Sequence, residues 1–472
     1  MKKNIDATKG PLLKQIILFS LPIIATNVLQ ALYTIADEIV VGQCAGKTAL
    51  SAIGDAFPVV ELSICIMLGL GMGVNVLISQ AFGADDRNKM NRLVHTALIT
   101  SLILGIIMGA FLFGYTRKIV EAMGTPKDVE EQAVLYLRIY YLGFPANFIY
   151  TFGAAMLRSV GDSRKPLIYL TISGIVNVIL NLILDVGFGL GVAGVAIGTV
   201  ASQVLSAVLV ILSLKKGDGP LKFRWRELRM DWSLCGQILR FGIPCGIQYG
   251  VFSLSNVVMQ STINAFGSAV MAGSAAAVSV ENLIYVSMQA FQETTMTIVG
   301  QNYGARKIRR MYKSVLLCLL SVSVVGILVG LFCFFFREPV LRIFIREANP
   351  EILAAVVRAG AIRLIIVGPT YFLCGLMDCT AATLRGTGVT ITPMIISLVG
   401  SCIFRLVYLW TFIDPMVERL SMAGADLMPA LWRLFLVYPI TWLVTTLVQG
   451  IAILVVRHKL IQKYGNIDCE AT

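Results

Sequence analysis

Charge is what this 472-residue chain has least of: 14% Asp, Glu, Lys and Arg, against 57% hydrophobic residues. A water-soluble domain carries about 25% charged residues, so a body bathed throughout in water is excluded and lipid must cover most of the chain. Histidine is nearly absent, with only His95 and His458, each near the end of an apolar run. No HExxH, GxSxG or glycine-rich phosphate loop occurs, so no motif supports a metalloprotease, a serine hydrolase or a P-loop enzyme. Cysteine is present ten times but never as C-x-x-C, and mostly inside apolar runs. Such cysteines read as small buried hydrophobes, neither metal ligands nor a disulfide framework.

What is there is a series of apolar segments, each near the roughly 20 residues needed to cross a bilayer. They fall at 14–40, 51–80, 93–115, 133–157, 166–186, 191–214, 237–264, 270–301, 313–336, 356–384, 392–412 and 430–456. The N-terminal lysines before the first run resemble a signal peptide. That run is too long and holds Asn27, Gln30 and Asp37, so it is read as an uncleaved first span. The longest break, 215–236, divides the twelve spans into two sets of six. The expected organisation is a bundle over 1–214, a cytoplasmic linker over 215–236, a second bundle over 237–458 and a cytoplasmic tail over 459–472.

Twelve spans put both termini on one side. Of the 39 basic residues, 26 fall in loops on that side and ten on the other. Cytoplasmic loops collect Lys and Arg, so both termini are expected in the cytoplasm. The net charge of +12 is then mostly a topology signal. Nucleic acid is not an expected partner, because the basic residues anchor short loops and form no stripe.

Fragments recur between the halves. Leu157-Arg158-x-x-Gly161-x4-Pro166 returns as Leu384-Arg385-x-x-Gly388-x4-Pro393, Gln80-x-x-Gly83-Ala84 as Gln301-x-x-Gly304-Ala305, and Pro22 as Pro244. The offsets are 227, 221 and 222 residues. A duplicated membrane bundle is the architecture of many secondary transporters, with the substrate path between repeats. Gly69, Gly71, Gly73, Pro145, Pro369 and Pro439 are read first as helix-packing residues.

Polar groups inside lipid are costly, about 2.5–3.5 kcal/mol for a mid-bilayer Asp, so their placement is informative. Span 5 carries Ser173, Asn177, Asn181 and Asp185, four residues apart, and span 1 carries Asn27, Gln30, Thr34 and Asp37. Both sets lie on one helical face. Asp37 and Asp185 both fall toward the outer leaflet of the first half. Oxygen ligands at that depth suit a hard cation such as Na⁺, and paired carboxylates suit one shared proton. Solvated helix ends are the other reading of the same acids. The site is not duplicated: Met259, Tyr408 and Phe412 stand at the positions matching Asp37, Asn181 and Asp185.

In the second half, span 8 has its own stripe, Asn282, Tyr285, Gln289 and Gln292, with Glu281 and Glu293 nearby. Asp378 and Glu293 are candidates to attract a cationic substrate. Arg405, deep in span 11, is expected to pair with a carboxylate. Methionine (18) and phenylalanine (23) supply a flexible apolar wall suited to promiscuous binding.

The chain resembles the multidrug and toxic compound extrusion transporters, called MATE, over nearly its whole length. The resemblance rests on Ala31-Leu-Tyr-Thr-Ile-Ala-Asp37-Glu-Ile-Val-Val-Gly42, Leu50-Ser-Ala-Ile-Gly54, Asn181-Leu-Ile-Leu-Asp185, Gly191-Val-Ala-Gly194-Val-Ala-Ile-Gly-Thr199 and the two duplicated fragments. It implies an all-α integral membrane protein with twelve transmembrane helices, arranged as two six-helix repeats forming a V-shaped transporter. It also implies alternating-access antiport: export of organic cations or amphiphilic drugs against inward Na⁺ or H⁺. Carried over by position, Asp37, Asn181, Asp185 and Thr199 form the ion-coupling site, and they hold the metal if the ion is Na⁺. The cavity is expected to be lined by Asn27, Gln30, Thr34, Asn177, Asn282, Gln289, Gln292, Glu293 and Asp378. Span 7 has Gln248, Ser253, Ser255 and Asn256 but no glutamate, which resembles the DNA-damage-inducible-protein-F-like bacterial branch.

The expectations that follow are a transporter without catalytic residues and with no cofactor beyond the coupling ion. Its partners would be small-molecule drugs and the lipid bilayer, with the chain monomeric in a bacterial cytoplasmic membrane. The alternative is a flippase for a lipid-linked oligosaccharide or lipid precursor, whose anionic cargo would need a cavity rich in Arg and Lys.

Overall fold

The computed structural model describes residues 5–464 apart from 45, 218–220, 346–348 and 423–426; for 34–50, 128, 186 and 421 it describes the backbone course only. Among the described residues the chain is helical, without strands. In order, the helices are α1 (Leu12–Cys44), α2 (Gly46–Gly83), α3 (Arg87–Ala122), α4 (Lys127–Leu142), α5 (Phe144–Ser159), α6 (Arg164–Leu182), α7 (Val192–Lys216), α8 (Trp232–Asn264), α9 (Ser268–Gly304), α10 (Ile308–Phe335), α11 (Arg337–Phe344), α12 (Pro350–Gly386), α13 (Ile391–Ser397), α14 (Phe404–Tyr408), α15 (Asp414–Met422) and α16 (Met428–Tyr464). Among the described residues ten rods, with α13–α15 counted as one, are long and apolar enough to cross a membrane. The α4–α5 pair and α8 complete the expected twelve.

The fourth span, expected unbroken over 133–157, is two helices. Pro145 at the start of α5 lacks a backbone N–H, and its ring would clash with the carbonyl four residues back. The chain therefore breaks at Gly143, whose carbonyl accepts the Asn147 amide at 3.0 Å. Helix α3 crosses this break with two glycines. A Cβ on Gly105 would meet Pro145 Cα at 2.6 Å, and one on Gly109 would meet the Tyr141 carbonyl at 2.9 Å. In the second half, Gly326 and Gly330 of α10 cross α12 at Phe372 and at Gly368–Pro369 in the same manner. Small residues of this kind let helix backbones touch in lipid. Gly330→Leu would drive a side chain onto the Gly368 carbonyl, 2.3 Å from the new Cβ. A loss of about 1–3 kcal/mol is expected from overpacking, read as a lower melting temperature of the purified protein.

The duplicated fragments are helix ends. Asp85 and Arg306 both take positive φ, 52° and 57°, just after α2 and α9. In each case the next amide reaches back five residues, Asp86 to Ala81 and Lys307 to Asn302, at 3.0 Å. Gly161 and Gly388 repeat this after α5 and α12, with φ of 83° and 89° and amide bonds from Asp162 to Leu157 and Val389 to Leu384 at 3.0 Å. All four are Schellman ends, which satisfy the last helical carbonyls. The sequence repeat is thus a repeat of chain-reversal chemistry.

The chain forms two compact units, Met1–Ala7 with Leu21–Gly246 and Thr8–Ser20 with Ile247–Thr472. The division runs inside α1 and α8. The linker segment 215–236 docks on α3. His95 is bonded through Nδ1 to the Asn91 carbonyl at 2.8 Å, and its Nε2 accepts from the Arg224 amide at 3.2 Å. Asn91 donates to Glu227 at 2.7 Å, and Arg92 pairs with Asp231. The Arg92 bond holds the Asp231 carboxyl below its ordinary range, and the Asn91 bond does the same for Glu227. This docking is complete at neutral pH and weakens as pH falls through those lowered values. Of the cysteines, Cys235, Cys245, Cys318, Cys333, Cys374, Cys379 and Cys402 are buried free thiols and Cys65 is half-buried.

Candidate functional site

In the first unit the polar face of α6 turns inward. Ser173, Asn177 and Asn181 are buried, Asn181 completely. Asn181 Nδ2 donates to Asn177 Oδ1 at 3.4 Å, and Asn177 Nδ2 donates to Thr199 Oγ1 on α7 at 3.5 Å. Gly198 makes room for this cluster: a Cβ there would lie 2.1 Å from Asn181 Oδ1. Beside it the Tyr33 ring fills the space over Gly174, and its hydroxyl donates to the Thr171 carbonyl at 3.3 Å.

Helix α6 does not end as a plain α-helix. It widens into a π-turn at Ile183–Gly187, and Asp185 sits in that turn, 5% exposed. A π-turn re-aims side chains and recurs at functional sites. Asp185 Oδ2 has no hydrogen-bond partner among the described residues. A buried carboxylate oxygen without a donor is costly, so this oxygen suits a proton or a cation. A widened turn also occurs in the second half at Leu409–Ile413, where Phe412 replaces the acid. The backbone device is repeated and the charge is not.

The structure brings together Asn177, Asn181 and Thr199, with Asp185 buried one turn further along. Asn27 is buried and Gln30 is exposed on α1. The side chains of Thr34 and Asp37 lie outside the described residues. In the second unit Asn282 is exposed, Gln289 and Glu293 are half-buried, and Gln292 accepts from the Tyr249 hydroxyl at 3.0 Å. Asp378 is buried in α12, and its Oδ2 has no hydrogen-bond partner among the described residues.

Arg405 departs from expectation. Among the described residues it has no carboxylate partner. Its guanidinium lies 4.5 Å from the Tyr438 ring centroid, with Thr441 Oγ1 at 3.3 Å and Asn256 Oδ1 at 3.5 Å. A ring face and two polar oxygens replace the anion. The carboxylate pairing occurs elsewhere. Glu281 of α9 and Arg363 of α12 form a buried two-pronged bridge, Nε–Oε1 2.7 Å and Nη2–Oε2 2.9 Å, with Ser274 Oγ 2.9 Å from Nη1. Only the observed helix starts reveal the match: each residue lies 13 positions past the start of its helix, Ser268 or Pro350. Both helices run the same way, so the two side chains share a depth.

The MatE family profile matches residues 22–183 and 244–411, two segments whose starts are 222 residues apart, the offset of Pro22 and Pro244. The chain is 30% identical over 393 residues, 81% of its length and 82% of the relative's, to the probable multidrug resistance protein YoeA of Bacillus subtilis. It is 22% identical, over 91% of its length and 94% of the relative's, to the multidrug export protein MepA of Staphylococcus aureus. A solved structure of an outward-facing multidrug resistance MATE family transporter of the MOP superfamily superposes with a TM-score of 0.87, covering 98% of this chain and 99% of that one at 22% identity. The likeness therefore spans both repeats, and the chain belongs to the MatE family, the multidrug and toxic compound extrusion transporters.

Proposed function

We propose that the protein is a multidrug efflux antiporter of the bacterial cytoplasmic membrane. It exports organic cations or amphiphilic drugs by alternating access, in exchange for inward Na⁺ or H⁺. The observation that carries this reading is Asp185, a buried acid in a widened turn, one helical turn past Asn181 of the Asn177–Asn181–Thr199 cluster. Asp37 is assigned to the same site by position, and both termini are assigned to the cytoplasm by loop charge.

The donor set fits either ion. Carboxylate, amide and hydroxyl oxygens suit a hard cation, and a buried carboxyl suits a proton. Ion binding acts only through a difference in affinity between the inward- and outward-open states. The names of the relatives, multidrug resistance and export proteins, support a drug cargo. The flippase alternative keeps one observation in its favour: Arg363 is neutralised by Glu281, but buried Arg405 has no carboxylate partner among the described residues.

The test is efflux of ethidium from proteoliposomes under a Na⁺ gradient and, separately, a pH gradient. One of the two is expected to drive export. Absence of ethidium movement under both, in folded protein, would overturn drug antiport and favour the flippase.

A further inference from the structure

A groove in the second unit plays no part in the ion-coupling reading. Its position follows from contacts at the other end of α10. There Lys307 Nζ donates to the Thr8 carbonyl at 3.0 Å, and Arg310 Nη2 donates to the Gly10 carbonyl at 2.7 Å. Helix α10 then runs 28 residues, about 42 Å, to the far side from this N-terminal segment. There α11 turns the chain into α12. The groove is formed by α11, the first turns of α12 and the start of α16. Its volume is about 520 Å³, and it is lined by Arg337, Arg342, Arg358, Glu338 and apolar side chains that include Ile365 and Trp432.

Three arginines against one carboxylate leave the lining net positive. Arg342 and Arg358 are exposed. Among the described residues neither has a carboxylate within 4.0 Å or a hydrogen-bond partner. Arg337 is held over the Phe334 ring at 5.4 Å and donates one N–H to the Phe334 carbonyl. The sequence makes the concentration sharper. Of the ten basic residues on the side opposite the termini, four (Arg337, Arg342, Arg346 and Arg358) fall within 337–358. Basic residues are depleted from loops on that side, so a cluster there calls for an anion.

The apolar part of the lining says which anion. Trp432, Leu436 and Ile440 are 40%, 43% and 43% exposed. They are four residues apart on α16 and so lie on one face, an apolar strip that leads away from the arginines. Tryptophan at a helix start is typical of the headgroup level. A free phosphate would have no use for such a strip, whereas an acyl chain would cover it. We propose that this groove binds the phosphodiester headgroup of an anionic phospholipid in the leaflet opposite the termini, with an acyl chain along Trp432, Leu436 and Ile440.

The test is native mass spectrometry of the full chain in neutral detergent, titrated with phosphatidylglycerol, phosphatidylcholine and inorganic phosphate. Phosphatidylglycerol is expected to bind in preference to phosphatidylcholine, and excess inorganic phosphate should not displace it. A basic side chain near an anionic lipid surface contributes about 1 kcal/mol. Arg342→Gln and Arg358→Gln should therefore each weaken phosphatidylglycerol binding about fivefold, and the pair about 25-fold. Glu338→Gln should strengthen it. Equal affinity for the two lipids, or unchanged affinity in the double variant, would overturn the proposal. Full displacement by inorganic phosphate would overturn the lipid assignment in favour of a free phosphate. Should the double variant fail to fold, Glu338→Gln decides alone, and unchanged affinity in it counts against the site.

Discussion

Asp185→Asn is expected to remove gradient-driven export while leaving the protein folded. The amide has the size of the carboxyl group, so the π-turn at Ile183–Gly187 and its packing should persist. What it lacks is the charge. An asparagine cannot take up a proton, and it balances no cation. Even groups that merely orient a metal ligand affect affinity about 10- to 100-fold. Loss of a carboxylate at the proposed site should therefore slow gradient-driven ethidium efflux by at least about 100-fold. Ethidium binding without a gradient should be little changed, since the cargo is not held by Asp185 in this reading. Thermal stability should hold or rise, because a buried charge is removed from lipid. Asp37→Asn is expected to give the same transport defect. Wild-type coupling in Asp185→Asn would show that the ion binds elsewhere, with Asp378 the next position to test.

Arg363→Met should produce the largest loss of stability. Arg363 and Glu281 are almost fully buried, with side chains 5% and 7% exposed. The arginine also lies over two rings, 5.4 Å from the Phe435 centroid and 5.3 Å from that of Tyr438. Removing it leaves the Glu281 carboxylate in a dry helix interface without a counter-charge. Breaking a buried pair in this way costs about 3–5 kcal/mol. The double variant Glu281→Gln/Arg363→Met should regain most of that, because replacing both partners removes the unpaired charge. Melting of the four proteins in detergent completes the cycle. A single Arg363→Met that melts like wild type would show that the bridge contributes nothing, and equal losses in the single and double variants would assign the cost to packing. The bridge joins α9 to α12, so transport in the double variant separates a stabilising role from a gating one.

Much of the architecture was legible in one dimension. Hydropathy along the chain reports the bilayer directly, since a span must be apolar for about 20 residues whatever it packs against. The duplication was equally open to reading. Gln80-x-x-Gly83-Ala84 and Leu157-Arg158-x-x-Gly161, with their copies, are local turn chemistry, and positive φ with reach-back amides is fixed by nearby residues. The stripe Ser173, Asn177, Asn181 was legible for a similar reason: helical period alone places it on one face.

What sequence could not supply depends on partners far along the chain. Pro145 marked a helix-packing site, but which helix packs there, α3 through Gly105 and Gly109, is decided by the fold. Arg405 was expected to find a carboxylate because a buried charge needs a partner, yet sequence does not say which faces converge. Tyr438 and Thr441 on α16 reach it first. Glu281 and Arg363, 82 residues apart, pair because α9 and α12 pack side by side at equal depth. By itself the sequence determined a twice-repeated membrane bundle in which the acids Asp37 and Asp185 have no counterparts in the second half. The tertiary structure alone decided which charges are neutralised and which are not, because that is settled by distances of about 3 Å between helices and by nothing within any one of them.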